Sequence, residues 1–296
     1  MRDPTFARTL HASGRFSLRR GETGLGNGMR LRIATWNVNS VRLRAEQAAR
    51  FVDEQAPDVL CLQEIKCQEG EFPREAFAAM GLPHLKIMGQ KGWHGVAIAS
   101  RLPLEDAPVL NACREGHARC ISGKIAGVEI HNFYIPAGGD VPDRTVNAKF
   151  DHKLDFYQTL TAEMRKRDPK APLILTGDLN VAPGENDVWS HRQMSKIVSH
   201  TPVELEAFAA LTDSIGFLDL PRLATPEPEK LYSWWSYRAA DFRKSNRGLR
   251  LDHILASPGL RDAAFIDGKV SSKVHDTVRE WERPSDHAPV TADLLV

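Results

Sequence analysis

The stretch PLILTGDLNVAP, residues 172–183, reads first as a strand and then as something a strand has no use for. Residues 172–177 form a short apolar run bounded by proline and glycine, the pattern of a buried β-strand. The run ends directly in Asp178 and Asn180. The stretch ATWNVNS, residues 34–40, repeats the arrangement, with a β-type run ending in Asn37 and Asn39. Further β-type runs are LRIATW (31–36), DVLCLQ (58–63), GVAIAS (95–100), VEIHNFYI (128–135), LRLDHILA (249–256) and APVTADLLV (288–296).

Helical patterns lie between some of these runs. Residues 42–55 put Leu43, Ala48, Phe51 and Val52 on one side, with Pro57 as a stop. Residues 144–167 put Val146, Phe150, Leu154, Tyr157, Leu160 and Met164 on one face, with Asp143 placed to cap the first turn and Pro169 to close the last. A third pattern near 203–215 groups Leu205, Phe208, Ala209 and Ile215. Pro136 to Pro142 and Pro221 to Pro228 read as long functional loops, and no linker separates domains. The class is α/β or α+β, in one domain.

Composition excludes several alternatives. An apolar fraction of 42% with 26% charged residues describes a soluble globular chain, and no apolar run is long enough to span a bilayer. Net charge is +1, but residues 1–28 hold five arginines against Asp3 and Glu22, which leaves 34 basic and 36 acidic residues, net −2, for the rest. Nucleic-acid binding therefore has to rest on local sites rather than bulk charge. Residues 1–28 carry neither the apolar core of a secretory signal nor a sustained amphipathic period. A disordered leader, followed by a folded domain over 29–296, accounts for them better than a transit peptide. Cys61, Cys67, Cys113 and Cys120 show no metal-binding spacing and read as reduced packing residues of a cytoplasmic protein.

Taken singly, each polar motif has an ordinary explanation. Asn37 and Asn39 suit a turn, Glu64 is the first residue past a buried strand, and Asp252 could be a buried ion-pair partner. Together they form a pattern: Asn37, Glu64, Asp178, Asn180, Asp286 and His287 all fall at or beside strand ends, and Asp252 falls within a strand. Gathering several carboxylates is costly unless a cation neutralises them. Hard oxygen donors with no cysteine and few imidazoles suit Mg²⁺, with Mn²⁺ able to substitute. Metal, carboxylate base, amide donors and an imidazole point to phosphodiester hydrolysis.

TWNVNSVR, LQEIK, QKGWHGVAI, GDLNVAP, SWWSYR, NRGLRLDHIL and PSDHAPV resemble, in that order, the signatures of the exonuclease III family of apurinic/apyrimidinic endonucleases, from about Met29 to the C-terminus. The resemblance implies a four-layered α/β sandwich of the deoxyribonuclease I-like type, with two mixed sheets face to face and helices outside. It implies Asn37 and Glu64 as the metal pair, with Asp178, Asn180, Asp286 and His287 close to the ion. Asp178 would act as the base on the attacking water, Asn180 as the donor that steadies it, and Tyr134 as a donor to the scissile phosphate. Asp252 would orient His287, which contacts a phosphate oxygen. Trp234 would wall the pocket for a base-free sugar, and Lys91, Trp93, Arg119, Asn246 and Arg247 would contact the duplex. Expected partners are double-stranded DNA with abasic sites or 3′ ends, with no membrane and a monomeric state. In one place the chain departs from the family, which often has Asn or Gln after the proline of its Tyr-x-Pro motif; here that residue is Ala137, followed by Gly138 and Gly139. A backbone N–H of this turn is the expected substitute.

Two other readings compete. A sphingomyelinase- or inositol-phosphatase-like phosphoesterase would share the GD-x-N and SDH elements, whereas LQEIK, SWWSYR and NRGLRLD argue for a nuclease. A non-catalytic DNA-binding module would have no need of the complete acidic and amide set.

Overall fold

The computed structural model describes residues 28–238 and 241–296. The proposed leader, apart from Gly28, lies outside the described residues. In chain order the strands are β1 (Arg30–Asn37), β2 (Val59–Gln63), β3 (His84–Met88), β4 (Val96–Ser100), β5 (Cys120–Ile125), β6 (Val128–Tyr134), β7 (Leu173–Asp178) and β8 (Leu218–Asp219). They continue with β9 (Trp234–Trp235), β10 (Gly248–Leu249), β11 (Asp252–Ala256), β12 (Phe265–Ile266), β13 (Lys269–Val270), β14 (Ser272–Val274) and β15 (Val290–Leu295). Helices α1 (Ala45–Gln55), α2 (Arg74–Ala79), α3 (Ala148–Met164), α4 (His191–Met194) and α5 (Pro202–Asp213) do most of the covering.

Two mixed sheets result, one ordered β14-β15-β1-β2-β4-β3 and the other β5-β6-β7-β11-β8. Each has one parallel pair, β1 with β2 and β6 with β7. A parallel pair needs a crossover, and α1 and α3 lie in those two connections. Side-chain alternation then builds the layers. Leu31, Ile33, Val59 and Cys61 of one sheet meet Val128, Ile130, Ile174 and Ile254 of the other between the sheets. Their sequence neighbours Ala34, Trp36, Leu60 and Leu62 face outward and pack with Ala48, Phe51 and Val52 of α1 and Phe77 of α2. On the other side Phe133, Leu173 and Leu175 pack with Phe156 and Leu160 of α3 and Phe208 and Leu211 of α5. This is the four-layered sandwich.

Polarity changes along the inner faces. Beyond the apolar residues comes a belt of Thr35, Gln63 and Asn132, all fully buried. Gln63 Nε2 donates to Thr35 Oγ1 at 2.9 Å and, across the sandwich, to Asn132 Oδ1 at 2.6 Å. Asn132 Nδ2 donates back to the carbonyls of Leu62 and Ala97, both at 2.9 Å. One step further come Asn37, Tyr134, Asp178 and Asp252, with Tyr134 paired to Asp178 and Asp178 to Asp252 in the ladders. At the opposite end β1 pairs antiparallel with β15, and Met29 and Val296 exchange backbone hydrogen bonds of 2.6 and 2.9 Å.

Several expectations need correction. Leu43 and Val146 are 78% and 75% exposed, because α1 and α3 begin only at Ala45 and Ala148. Asn147 caps α3 through Lys149 N, while Asp143 spends its oxygen on Thr145 in a separate turn. Ala209 faces solvent; the buried side of α5 is Glu204, Phe208 and Leu211, and Ile215 is buried beyond the helix end. Pro221 sits inside a short helix, Leu220–Ala224, and not in a loop. All four cysteines are free and buried, as expected of packing residues.

Candidate active site

The site is built where strands run out. Glu64 follows β2 with a left-handed backbone, φ 50°, which turns its carboxylate back over the strand ends. Its Oε1 accepts from Asn37 Nδ2 at 3.0 Å and from the Tyr134 hydroxyl at 2.8 Å, and its Oε2 faces Lys66 Nζ at 2.8 Å. Burial alone would raise this carboxyl, but the Lys66 ammonium and the donors outweigh it and hold it at about 2. Burial, with Glu64 and Asp178 close by, drives Tyr134 well above the usual phenol range, so it is a neutral donor.

Asp178 ends β7, and Gly177 before it has a structural reason: a Cβ there would lie 2.0 Å from the Phe133 carbonyl, at φ 130°. Asp178 Oδ2 accepts from Asn37 Nδ2 at 2.9 Å, and its Oδ1 accepts from Asn180 N at 3.1 Å. His287, just ahead of β15, places Nδ1 2.8 Å from Asp252 Oδ2 and Nε2 3.7 Å from Asp178 Oδ2. Ser233 Oγ donates to the same Asp252 oxygen at 2.6 Å. Burial pushes Asp178 up, His287 pulls it back, and Asp252 and Glu64 push it further, to about 7. Burial alone would lower His287, but Asp252 and Asp178 together raise it to about 10.

A cation fits this arrangement. Asp178, Asp252 and His287 bring ligand-capable atoms within 4.8 Å of one another, a group that could hold a metal ion. Asp252 Oδ1 is buried with no hydrogen-bond partner, an orphan that a buried carboxylate rarely tolerates. Crowded carboxylates with one open oxygen suit a hard divalent ion. Asp252 thus joins the trio in which only Asp178 and His287 were expected. Asp286 stands apart: Asn39 Nδ2 donates to its Oδ1 at 3.2 Å and Trp234 Nε1 to its Oδ2 at 3.0 Å. Asn180 has φ 55°, and one of the two N–H groups of its Nδ2 donates to the Ile135 carbonyl at 2.9 Å.

The remaining expected residues fall around this centre. Trp234 is half-buried over Asp286, and Trp235 is buried, in a strand β9 that pairs with β10. Asn246 accepts from Trp235 Nε1 at 3.2 Å, and the exposed Arg247 lies over the Trp189 ring at 4.6 Å. Lys91 and Trp93 are exposed, Trp93 by 70%, on the loop whose Gly95 carbonyl binds Ile65 N beside Glu64. Arg119 is buried and clamps Tyr134, with its guanidinium 4.6 Å above the ring and NH1 on the Tyr134 carbonyl at 3.0 Å. Sequence reasoning missed Lys66, Ser233, Lys153 and Glu204. The first lies in LQEIK and the second in SWWSYR, so both were visible as motif members without a role.

The fold and this site define a class. Residues 34–287 match the endonuclease/exonuclease/phosphatase family, and the chain belongs to it. Within that family the chain is of the exonuclease III and apurinic-endonuclease type. It is 30% identical over 279 residues to exodeoxyribonuclease III of Haemophilus influenzae, a match covering 89% of this chain and 100% of that one. It superposes on an AP endonuclease from Archaeoglobus fulgidus with a TM-score of 0.81 at 33% identity, covering 88% and 98% of the two chains. It superposes on a Neisseria 3′ phosphatase bound to a product DNA hairpin with a TM-score of 0.80 at 35% identity, covering 88% and 98%. Among the described residues no helix is long and apolar enough to cross a membrane.

Proposed function

We propose that the chain is a divalent-metal-dependent DNA repair phosphodiesterase that incises duplex DNA 5′ to abasic sites and trims 3′ ends by attack of water on phosphorus. The observation that carries the reading is the convergence of Asp178, Asp252 and His287 beside Glu64, Asn37 and Tyr134 at one mouth of the sandwich. The kinship with an exodeoxyribonuclease III, an AP endonuclease and a DNA-bound 3′ phosphatase supports DNA as the substrate.

Glu64, Asn37 and the Asp178 side of the trio would hold Mg²⁺, while Asp286, bonded to Asn39 and Trp234, lies outside this set. The ion supplies counter-charge to the phosphate and the leaving oxygen. Asp178, whose carboxyl burial pushes up, would take the proton from the attacking water. Asn180 steadies that water or the oxygen it becomes. His287, kept protonated by Asp252, offers Nε2 to a phosphate oxygen, and Tyr134 turns its hydroxyl from Glu64 to another. Trp234 presents the apolar wall that accepts a deoxyribose lacking its base. Trp93, Lys91 and Arg247, exposed on loops, contact the backbone of the duplex, while Arg119 acts through Tyr134.

The test is one preparation assayed on abasic, nicked, 3′-phosphate and intact duplexes, with Mg²⁺ and with chelator. Chelator-sensitive incision on the 5′ side of the abasic residue is expected. No metal-dependent cleavage of any duplex, with hydrolysis of sphingomyelin or an inositol phosphate instead, would refute the reading.

A further inference from the structure

Behind the site, α3 and α5 bury an ion pair that the chemistry above does not use. Lys153 and Glu204 are both 0% exposed, and their side chains bond directly. Lys153 has three N–H donors and three acceptors: the Glu204 carboxylate, the Asn180 carbonyl at 2.7 Å and the Ala137 carbonyl at 3.3 Å. Both carbonyls belong to the turns that follow site strands, Asn180 after β7 and Ala137 after β6. One helical turn along α3, the buried Tyr157 hydroxyl donates to the Leu179 carbonyl at 2.7 Å. One face of α3 thus grips two successive carbonyls of the GDLN turn.

Glu204 has its own ties. It is the N3 residue of a capping box with Thr201, accepting from Thr201 N at 3.1 Å, Thr201 Oγ1 at 2.7 Å and Ser199 N at 2.9 Å. The turn at Ala137 is fitted to Lys153 as well. Gly138 has φ 93°, and a Cβ there would lie 3.0 Å from Lys153 Cδ and 3.1 Å from Val198. A buried ion pair gives little net stability over apolar residues of the same volume. Its effect here is geometric, since it fixes where two glycine- and asparagine-bearing turns stand relative to each other.

We propose that Lys153 and Glu204 are positioning residues: Lys153 sets the carbonyls of Asn180 and Ala137, and through them the placement of the Asn180 amide and the Ala137–Gly139 turn against the phosphate, with Glu204 holding the ammonium in register. This rests on the reading of Asp178 and Asn180 as the groups that handle the attacking water. A displacement of about 1 Å in such groups costs up to about 100-fold in rate without weakening substrate binding.

The test variant is Lys153→Met combined with Glu204→Gln, which removes both charges together and keeps the capping box. On an abasic duplex with saturating Mg²⁺, kcat should fall by about 10- to 100-fold while KM stays within about twofold. Leu160→Val, a core change on the same helix, should leave kcat unchanged. Should the double variant not fold, Lys153→Arg takes its place: a planar guanidinium cannot satisfy the same three acceptors, and kcat should fall with KM held. A kcat within about twofold of wild type in the folded variant, or an equal loss in Leu160→Val, overturns the proposal. Failure of the wild-type protein to cleave DNA at all would instead overturn the functional reading on which it rests.

Discussion

Replacing Asp252 by Asn keeps the shape of the side chain and an oxygen for Ser233, but removes the nearer of the two charges that hold His287 protonated. The imidazole stands at about 10 against an ordinary 6.5, although burial works in the other direction. That gap, about 5 kcal/mol, is what remains after Asp252 at 2.8 Å and Asp178 at 3.7 Å have overcome the opposing cost of burial. The sign follows directly: in metal-free protein the charged imidazole stabilises the fold fully below about 6.5, and that contribution is lost as pH rises through about 10. In Asp252→Asn the titration of His287, followed by imidazole NMR in chelator, should drop by at least about one unit. A hydrogen bond to a charged group contributes about 1.5–3 kcal/mol, so the pair should also be coupled in catalysis. In a single-turnover cycle on an abasic duplex, Asp252→Ala combined with His287→Ala should cost little more than His287→Ala alone, a coupling of about 2 kcal/mol or about 30-fold. Additive losses within about 0.4 kcal/mol, or a wild-type imidazole titrating near 6.5 without metal, would refute the dyad.

Glu64→Ala should lose most turnover in limiting Mg²⁺ yet keep DNA binding by fluorescence anisotropy; near wild-type cleavage would remove Glu64 from the metal. Because Glu64 sits at about 2 in the fold against an ordinary 4.5, its contribution of about 3 kcal/mol is present above about 4.5 and lost as pH falls toward 2, so urea melts of Glu64→Gln should lack that part of the acid dependence. Asp178→Asn should lower kcat by at least about 100-fold with DNA affinity nearly intact, and a smaller loss would assign the base elsewhere. A chain beginning at Met29 should melt within a few degrees of the full chain and cleave equally, as checked by calorimetry and the abasic-duplex assay.

The strands and the site loops were legible because both rest on local signals. Alternation places Leu31, Ile33 and Asn37 on one face of β1 and Ile174 and Asp178 on one face of β7, and the same period carries each strand from core to chemistry. Strands such as β3 and β14, whose residues are exposed or half-buried at sheet edges, have too little contrast between faces to announce themselves. Helix starts were overreached where an apolar residue, Leu43 or Val146, fell in phase with a helix that had not yet begun. Lys153 and Glu204 were missed for a different reason. A charged residue in a helical pattern reads as solvated, and only tertiary packing brings its partner and acceptors to it. The Arg119 clamp on Tyr134 is likewise a contact across neighbouring strands that no spacing encodes.

The pairing of β1 with β15 has a consequence for the order in which this nuclease comes into being. Asn37 and Glu64 emerge early in synthesis, and Asp178 and Asp252 emerge later. His287 emerges only just ahead of β15, the last of the described strands. The six-stranded sheet therefore stays open along one edge of β1 until β15 docks, and the acidic mouth lacks its imidazole for as long as it does. A chain that lacks β15 and the residues just ahead of it thus leaves one edge of β1 unpaired and the His287 position unfilled.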